Sequence, residues 1–144
     1  MIFEFEKTIE CTVQEAFRAC DSAELQIQWV ASMIEVNIED PDNWGNGSRF
    51  QQIHTDSGIR QVFQGLVLEY ESNRYVTTQL EHKDFTIITK LSFEDLGERC
   101  KVTHHSKLTI NSFALKMMSS VVSSAVSKRI EEDLRRLQAL LEAR

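Results

Sequence analysis

The last thirty or so residues, Ser112 through Arg144, limit what this chain can fold into more than any other stretch. No Gly or Pro interrupts them, Asn111 and Ser112 are suitable N-caps, and Lys128-Arg-Ile-Glu-Glu-Asp-Leu-Arg-Arg-Leu137 is built of strong helix formers. The expectation is a single helix of roughly 45 Å, at about 1.5 Å per residue. Such a helix is longer than a small domain is wide in most directions, so the rest of the chain must lie along it.

The preceding sequence is organised to do so. Residues 2 to 10 alternate, with Phe3, Phe5 and Ile9 on one face and Glu4, Glu6, Thr8 and Glu10 on the other, the signature of a half-buried strand. Thr12 with Glu15 has capping-box spacing and opens a short helix through Ala16, Phe17, Ala19 and Cys20. Asp21 or Ser22 caps a second, carrying Leu25, Ile27 and Trp29. Six strands are expected next: 33 to 39, 48 to 55, 59 to 70, 74 to 80, 85 to 94 and 99 to 110. The breaks at Asp56-Ser-Gly58, Glu71-Ser-Asn73, His82-Lys-Asp84 and Asp95-Leu-Gly97 carry turn chemistry, and connections this short make consecutive strands antiparallel. Gly65, inside a long strand, predicts a bulge or sharp bend.

Strand phase assigns the faces. Phe85, Ile87, Thr89, Leu91 and Phe93 share one side, as do Cys100, Val102, His104, Ser106, Leu108 and Ile110 on the next strand, while lysines and glutamates take the other. One face is wet and one apolar, and only the long helix is left to cover the apolar one.

With 144 residues and 42% hydrophobic content the expectation is one globular domain. The net charge of −6 argues against nucleic acid as a partner, and Lys128, Arg129, Arg135 and Arg136 are interleaved with acids that can pair with them. Three cysteines without a CxxC point to a reduced, cytoplasmic setting. The acidic N-terminus lacks signal-peptide features, and no apolar run approaches the roughly 20 residues that span a bilayer. His54, His82, His104 and His105 have no ligand spacing, so no metal site is expected, and no motif implies a cofactor.

Strand, two short helices, six strands and a long C-terminal helix resembles the START-like helix-grip superfamily, also called SRPBCC. Phe3-Glu-Phe-Glu-Lys-Thr-Ile-Glu-Cys-Thr-Val-Gln-Glu-Ala-Phe17, Trp44-Gly-Asn-Gly47, Phe63-Gln-Gly-Leu-Val-Leu-Glu69 and Glu132-Asp-Leu-Arg-Arg-Leu137 carry the likeness, which covers the whole chain. It implies an α+β fold in which a seven-stranded curved antiparallel sheet grips the long helix around an apolar ligand cavity. It implies no particular reaction.

The candidate site follows from that cavity. Trp29, Phe50, Phe63, Tyr75 and Phe85 are aromatics that would line a pocket for a flat hydrophobic ligand, with core packing as the plainer account. Ile87, Thr89, His104 and Ser106 fall on the inner faces of the last two strands. His104 is the one candidate catalytic residue, an acid/base at an unperturbed pKa near 6.5; a neutral imidazole satisfied by local hydrogen bonds is the reading preferred to it. On the last helix, Ile130, Leu134, Leu137 and Leu141 form an anchor stripe that runs upward into Ser119, Ser123 and Ser127. Met117, Met118, Val121 and Ala125 are rotated off that stripe, and Phe113, Met117, Val121 and Ser124 are expected to border the cavity, with a bend near Ser123 and Ser124. The alternative is that this arc packs on the short helices or on another subunit. Three functions stay open: binding of a small hydrophobic molecule (lipid, polyketide or aromatic), a polyketide cyclase/dehydrase-type enzyme using His104, and a dimeric or chaperone-activator-like interaction module.

Overall fold

The computed structural model describes residues 1–143; Arg144, the last residue of the expected helix, lies outside them. The chain runs β1 (Ile2–Ile9), α1 (Val13–Asp21), α2 (Ala23–Trp29), β2 (Met33–Ile38), a 3-10 turn at Pro41–Asn43, β3 (Arg49–Asp56), β4 (Ile59–Glu71), β5 (Tyr75–His82), β6 (Phe85–Asp95), β7 (Cys100–Ile110), α3 (Phe113–Met117) and α4 (Ser119–Glu142). The strands form one antiparallel sheet in the order β1-β7-β6-β5-β4-β3-β2. Each consecutive pair from β2 to β7 is a hairpin, and β1 closes against β7, the helix-grip arrangement that the sequence led us to expect.

Local chemistry sets the element ends. Thr12 Oγ1 accepts from Glu15 N at 3.2 Å and the Glu15 carboxylate accepts from Thr12 N at 3.3 Å, completing the capping box. Ser22 caps α2 through Leu25 N at 3.4 Å. The β3–β4 turn places Ser57 and Gly58 at φ 52° and 79°, a left-handed pair suited to a two-residue hairpin.

Gly65 departs from expectation. The register of β4 against β5 is regular there and shifts instead between Val67 and Glu69. What Gly65 supplies is room: a Cβ on it would overlap the Phe50 ring, which occupies that space. The bend of β4 and the close approach of Phe50 are therefore met at two different positions.

The main core lies between α1, α2, the C-terminal half of α4 and the β1/β7 edge. Ile9, Ala16, Cys100, Val102 and Leu137 are each fully buried in it. Phe17 meets Tyr70 and Phe93 edge-on, with ring centroids 5.6 and 5.2 Å away. Cys11, Cys20 and Cys100 are buried in the same core. Burial pushes the Cys20 thiol far up and the Cys100 thiol up to about 11, so both are inert apolar fillers.

The long helix is broken once, at Met118, and α4 is continuous past Ser123 and Ser124, where a bend was expected. Its inward stripe is also more continuous than expected. Val122, Val126 and Ile130 pack on Phe3, Leu108 and Ile110, and the stripe runs on through Leu134, Leu137 and Leu141. The two valines lie one position before Ser123 and Ser127, a rotation of about 100°. That is enough to turn Val121 outward, at 59% exposure, with Ser124 also exposed; in α3 it is Leu115 that packs on the same cluster, which leaves Phe113 and Met117 77% and 75% exposed. No described helix is long and apolar enough to cross a membrane.

Candidate functional site

Sheet register arranges the inner face as rows. Val67, Thr78, Thr89, Ser106 and Phe3 lie side by side across five strands, with Tyr70, Val76, Leu91, His104 and Phe5 in the next row. Ser106 is fully buried, yet Thr78, Thr89, Ile87 and Leu91 on the central strands are only half-buried. The reason is the course of α4, which packs along β1, α1 and α2 rather than on the middle of the sheet. A hollow is left under the centre.

Part of it is a cavity of about 60 Å³ between β5–β6, the α1–α2 junction and β2–β3. Its walls are apolar where Trp44, Phe50, Val76 and Leu91 face it. Five polar side chains interrupt them: Asp21, Gln26, Gln52, Thr78 and Thr89. The Asp21 carboxylate accepts from Trp44 Nε1 at 2.9 Å through one oxygen and from the Tyr70 hydroxyl at 2.8 Å through the other. Burial, then this hydrogen bond, pushes the Tyr70 phenol up to about 12, so it stays a donor. Trp44 and Phe50 meet edge-on at 5.7 Å. A more open hollow of about 290 Å³ lies around Arg49, Gln51 and Gln64, side chains of the outward phase.

At the other end of the hollow, four rings meet in sequence. His54 meets Phe63 edge-on at 5.1 Å, Phe63 lies 5.4 Å from His82, and His82 stacks on Phe85 at 5.1 Å. Gln52 Oε1 can only accept, so His54 Nε2 donates to it at 3.0 Å and Nδ1 accepts from the Ser32 hydroxyl at 2.8 Å. Burial, with Arg129 nearby, pulls the His54 pKa down to about 4, consistent with that neutral tautomer. His104 Nε2 shares a 3.0 Å hydrogen bond with Ser106 Oγ, and burial lowers its pKa to about 4 as well. The tip of the β3–β4 hairpin is tied to α4 by an Arg129–Asp56 ion pair.

The expected site residues thus separate. Phe50 and Thr89 line the cavity, Phe63 and Phe85 belong to the ring series, Ile87 packs with Phe3 and Leu108, and His104 and Ser106 lie together on the inner face. Trp29 does not reach the hollow: it is buried at the end of α2 and donates through Nε1 to Ala19 O at 2.8 Å. Tyr75 faces the opposite side of the sheet, where Lys90 Nζ sits 4.7 Å from its ring centroid. Phe113, Met117, Val121 and Ser124 face solvent for the reason of helix phase given above. Sequence reasoning missed Asp21, Gln26, Gln52 and Thr78. Gln52 and Thr78 could have been found, because they share the phase of Phe50 and Val76; the approach of α1–α2 to the sheet leaves no such signal. No metal-binding cluster of His, Cys, Asp and Glu occurs among the described residues.

A sequence profile described as "Polyketide cyclase / dehydrase and lipid transport" matches residues 2–142, nearly the whole chain. The chain belongs to the polyketide cyclase/dehydrase and lipid-transport family. Several solved structures share this fold. TTHA0849 from Thermus thermophilus matches with a TM-score of 0.82 at 13% identity, covering 99% of this chain and 98% of that one. Ara h 8.0201 matches at 0.78 and 13%, covering 100% and 99%. The di-domain ARO/CYC BexL from the BE-7585A biosynthetic pathway matches at 0.77 and 11%, covering 96% of this chain and 45% of that one. At these identities the likeness is one of fold. No curated protein sequence matches significantly.

Proposed function

We propose that this protein binds a small hydrophobic molecule in the hollow between the sheet and α4. The observation that carries the reading is the half-burial of Leu80, Ile87, Thr89 and Leu91 on the inner face of the two central strands. A filled core would seal these side chains as completely as Val102 and Leu137 are sealed in the main core. An apolar wall with a few fixed polar groups is the usual composition of a ligand site. The roughly 300–1,000 Å³ typical of such sites exceeds the 60 Å³ enclosed beside Asp21, so the cavity holds one end of the ligand and the hollow holds its body.

The test is organic extraction and native mass spectrometry of the purified protein, together with titration by the neutral dye Nile red. Saturable dye binding at one site is expected. Thr89→Phe, which extends into the hollow, should weaken it at least tenfold without lowering the melting temperature. If no co-purifying molecule is found and the dye fails to saturate, the proposal fails.

The enzyme reading rests on His104. Held neutral by burial, that imidazole is a proton acceptor at neutral pH rather than an acid, and its Nε2 is already engaged by Ser106. Its cross-strand partner Leu91, rather than His104 itself, lines the cavity. Binding is therefore the better-supported function, and ligand affinity should survive His104→Gln.

A further inference from the structure

We infer that the cavity at the α1–α2 junction is a subsite for a cationic end group, and that the ligand is a flat or apolar amine. This inference rests on the binding-protein reading above and specifies its ligand class. Among the described residues, Asp21 is the only ionisable side chain of a carboxylate or basic type lining that cavity, and no Lys, Arg or His does so. Both of its hydrogen bonds come from neutral donors, Trp44 Nε1–H and Tyr70 O–H, and it makes no salt bridge among the described residues. Those donors fix the carboxylate in place without neutralising it. Each oxygen keeps acceptor capacity for a further donor.

The surrounding walls suit the same guest. The Trp44 and Phe50 rings border the cavity, and aromatic faces attract cations. Thr78, Thr89 and Gln52 offer hydroxyl and amide oxygens at its sides, so an ammonium with several N–H donors can be satisfied by more than one partner. A ligand carboxylate or phosphate entering the same space would meet Asp21 with no compensating cation, which is costly in a partly desolvated site. A neutral hydroxyl would be accepted, without the charge-assisted contribution.

Three probes with one apolar body separate these cases at neutral pH: 2-(2-naphthyl)ethylamine, 2-(2-naphthyl)ethanol and 2-naphthylacetate, titrated by calorimetry. The expected order is amine tightest, alcohol next and carboxylate weakest, with about 10- to 100-fold between amine and alcohol, the range for a hydrogen bond to a charged group. Asp21→Asn should reduce the amine to the level of the alcohol. Glu4→Gln, on the outer sheet face, should leave the order intact, separating a local effect from the overall net charge of −6. The wild-type series needs no variant, so it decides the matter even if Asp21→Asn folds poorly. Equal binding of all three, a preference for the carboxylate, or an amine preference that survives Asp21→Asn would overturn this inference and leave the binding reading standing. Failure of all three probes while Nile red still saturates would do the same. Failure of probes and dye together would overturn both.

Discussion

The two ends of the space under α4 are built from the same sheet and helix but filled in opposite ways. Near the β1/β7 edge, α1, α2 and the C-terminal half of α4 converge, and Ile9, Val102 and Leu137 lose all contact with solvent. Beneath β5 and β6, Thr78, Leu80, Ile87, Thr89 and Leu91 stay half-buried, because α4 packs along β1, α1 and α2 and α1 meets β6 at Phe93. The difference teaches that close packing is divided along the sheet. Coverage by three helices supplies the packing at one end, and the middle, along which α4 does not run, holds hydrogen-bonded polar groups and a cavity.

Matched deletions test that division most strongly. Leu137→Ala, in the sealed end, should destabilise the protein by about 2–5 kcal/mol, whereas Leu80→Ala under the hollow should cost less than about half as much, both read from urea midpoints. Equal costs would mean that the two ends are packed alike.

Acidification probes the polar side of the comparison. The folded-state pKa of His104 is lowered to about 4 by burial, against about 6.5 when unfolded, so the folded protein binds fewer protons between those values. Its contribution is fully present above about pH 6.5 and is lost as pH falls toward 4, at most about 3 kcal/mol. His104→Gln should flatten the stability–pH profile in that window, while His54 continues to supply a part of the slope.

Gly65→Ala tests the cavity wall. The added methyl would displace the Phe50 ring, so a loss of about 1–3 kcal/mol is expected, accompanied by weaker Nile red binding. Weaker stability with unaltered binding would show that Phe50 does not shape the ligand site.

The smallest effect separates neighbours. Val122→Ala, on the inward stripe, should cost about 1 kcal/mol, and Val121→Ala, exposed beside it, less than about 0.5 kcal/mol in thermal or urea unfolding.

That last pair also shows where sequence reasoning stopped. Strand alternation is a strict period of two, so the inner phase of β6 and β7 was legible residue by residue, and turn chemistry placed every hairpin. A helix gives no such certainty when two apolar arcs compete. Val122 and Val126 on one side and Met117 and Val121 on the other are equally hydrophobic, and only the position of Phe3, Leu108 and Ile110 selects between them. The same limit hid Asp21. Its place at the end of α1 was readable, but its meeting with Trp44 and Tyr70 depends on contacts 23 and 49 residues away in sequence. Tyr75, by contrast, was open to correction from sequence: Val76 and Leu80 claim the inner phase of β5 and leave Tyr75 to pair with Glu71 and Ser92 outside.

The break at Met118 gives the closing segment two separate moorings. Asn111 and Ser112 donate backbone N–H groups to Asp84 O at 2.7 and 3.2 Å, which fastens the start of α3 to the β5–β6 turn, while α4 is fastened to β1, α1 and α2. Under the binding reading, entry of a guest would need a pivot only at Met118, and amide exchange should then rise at residues 113 to 118 while the amides of residues 130 to 141 stay protected.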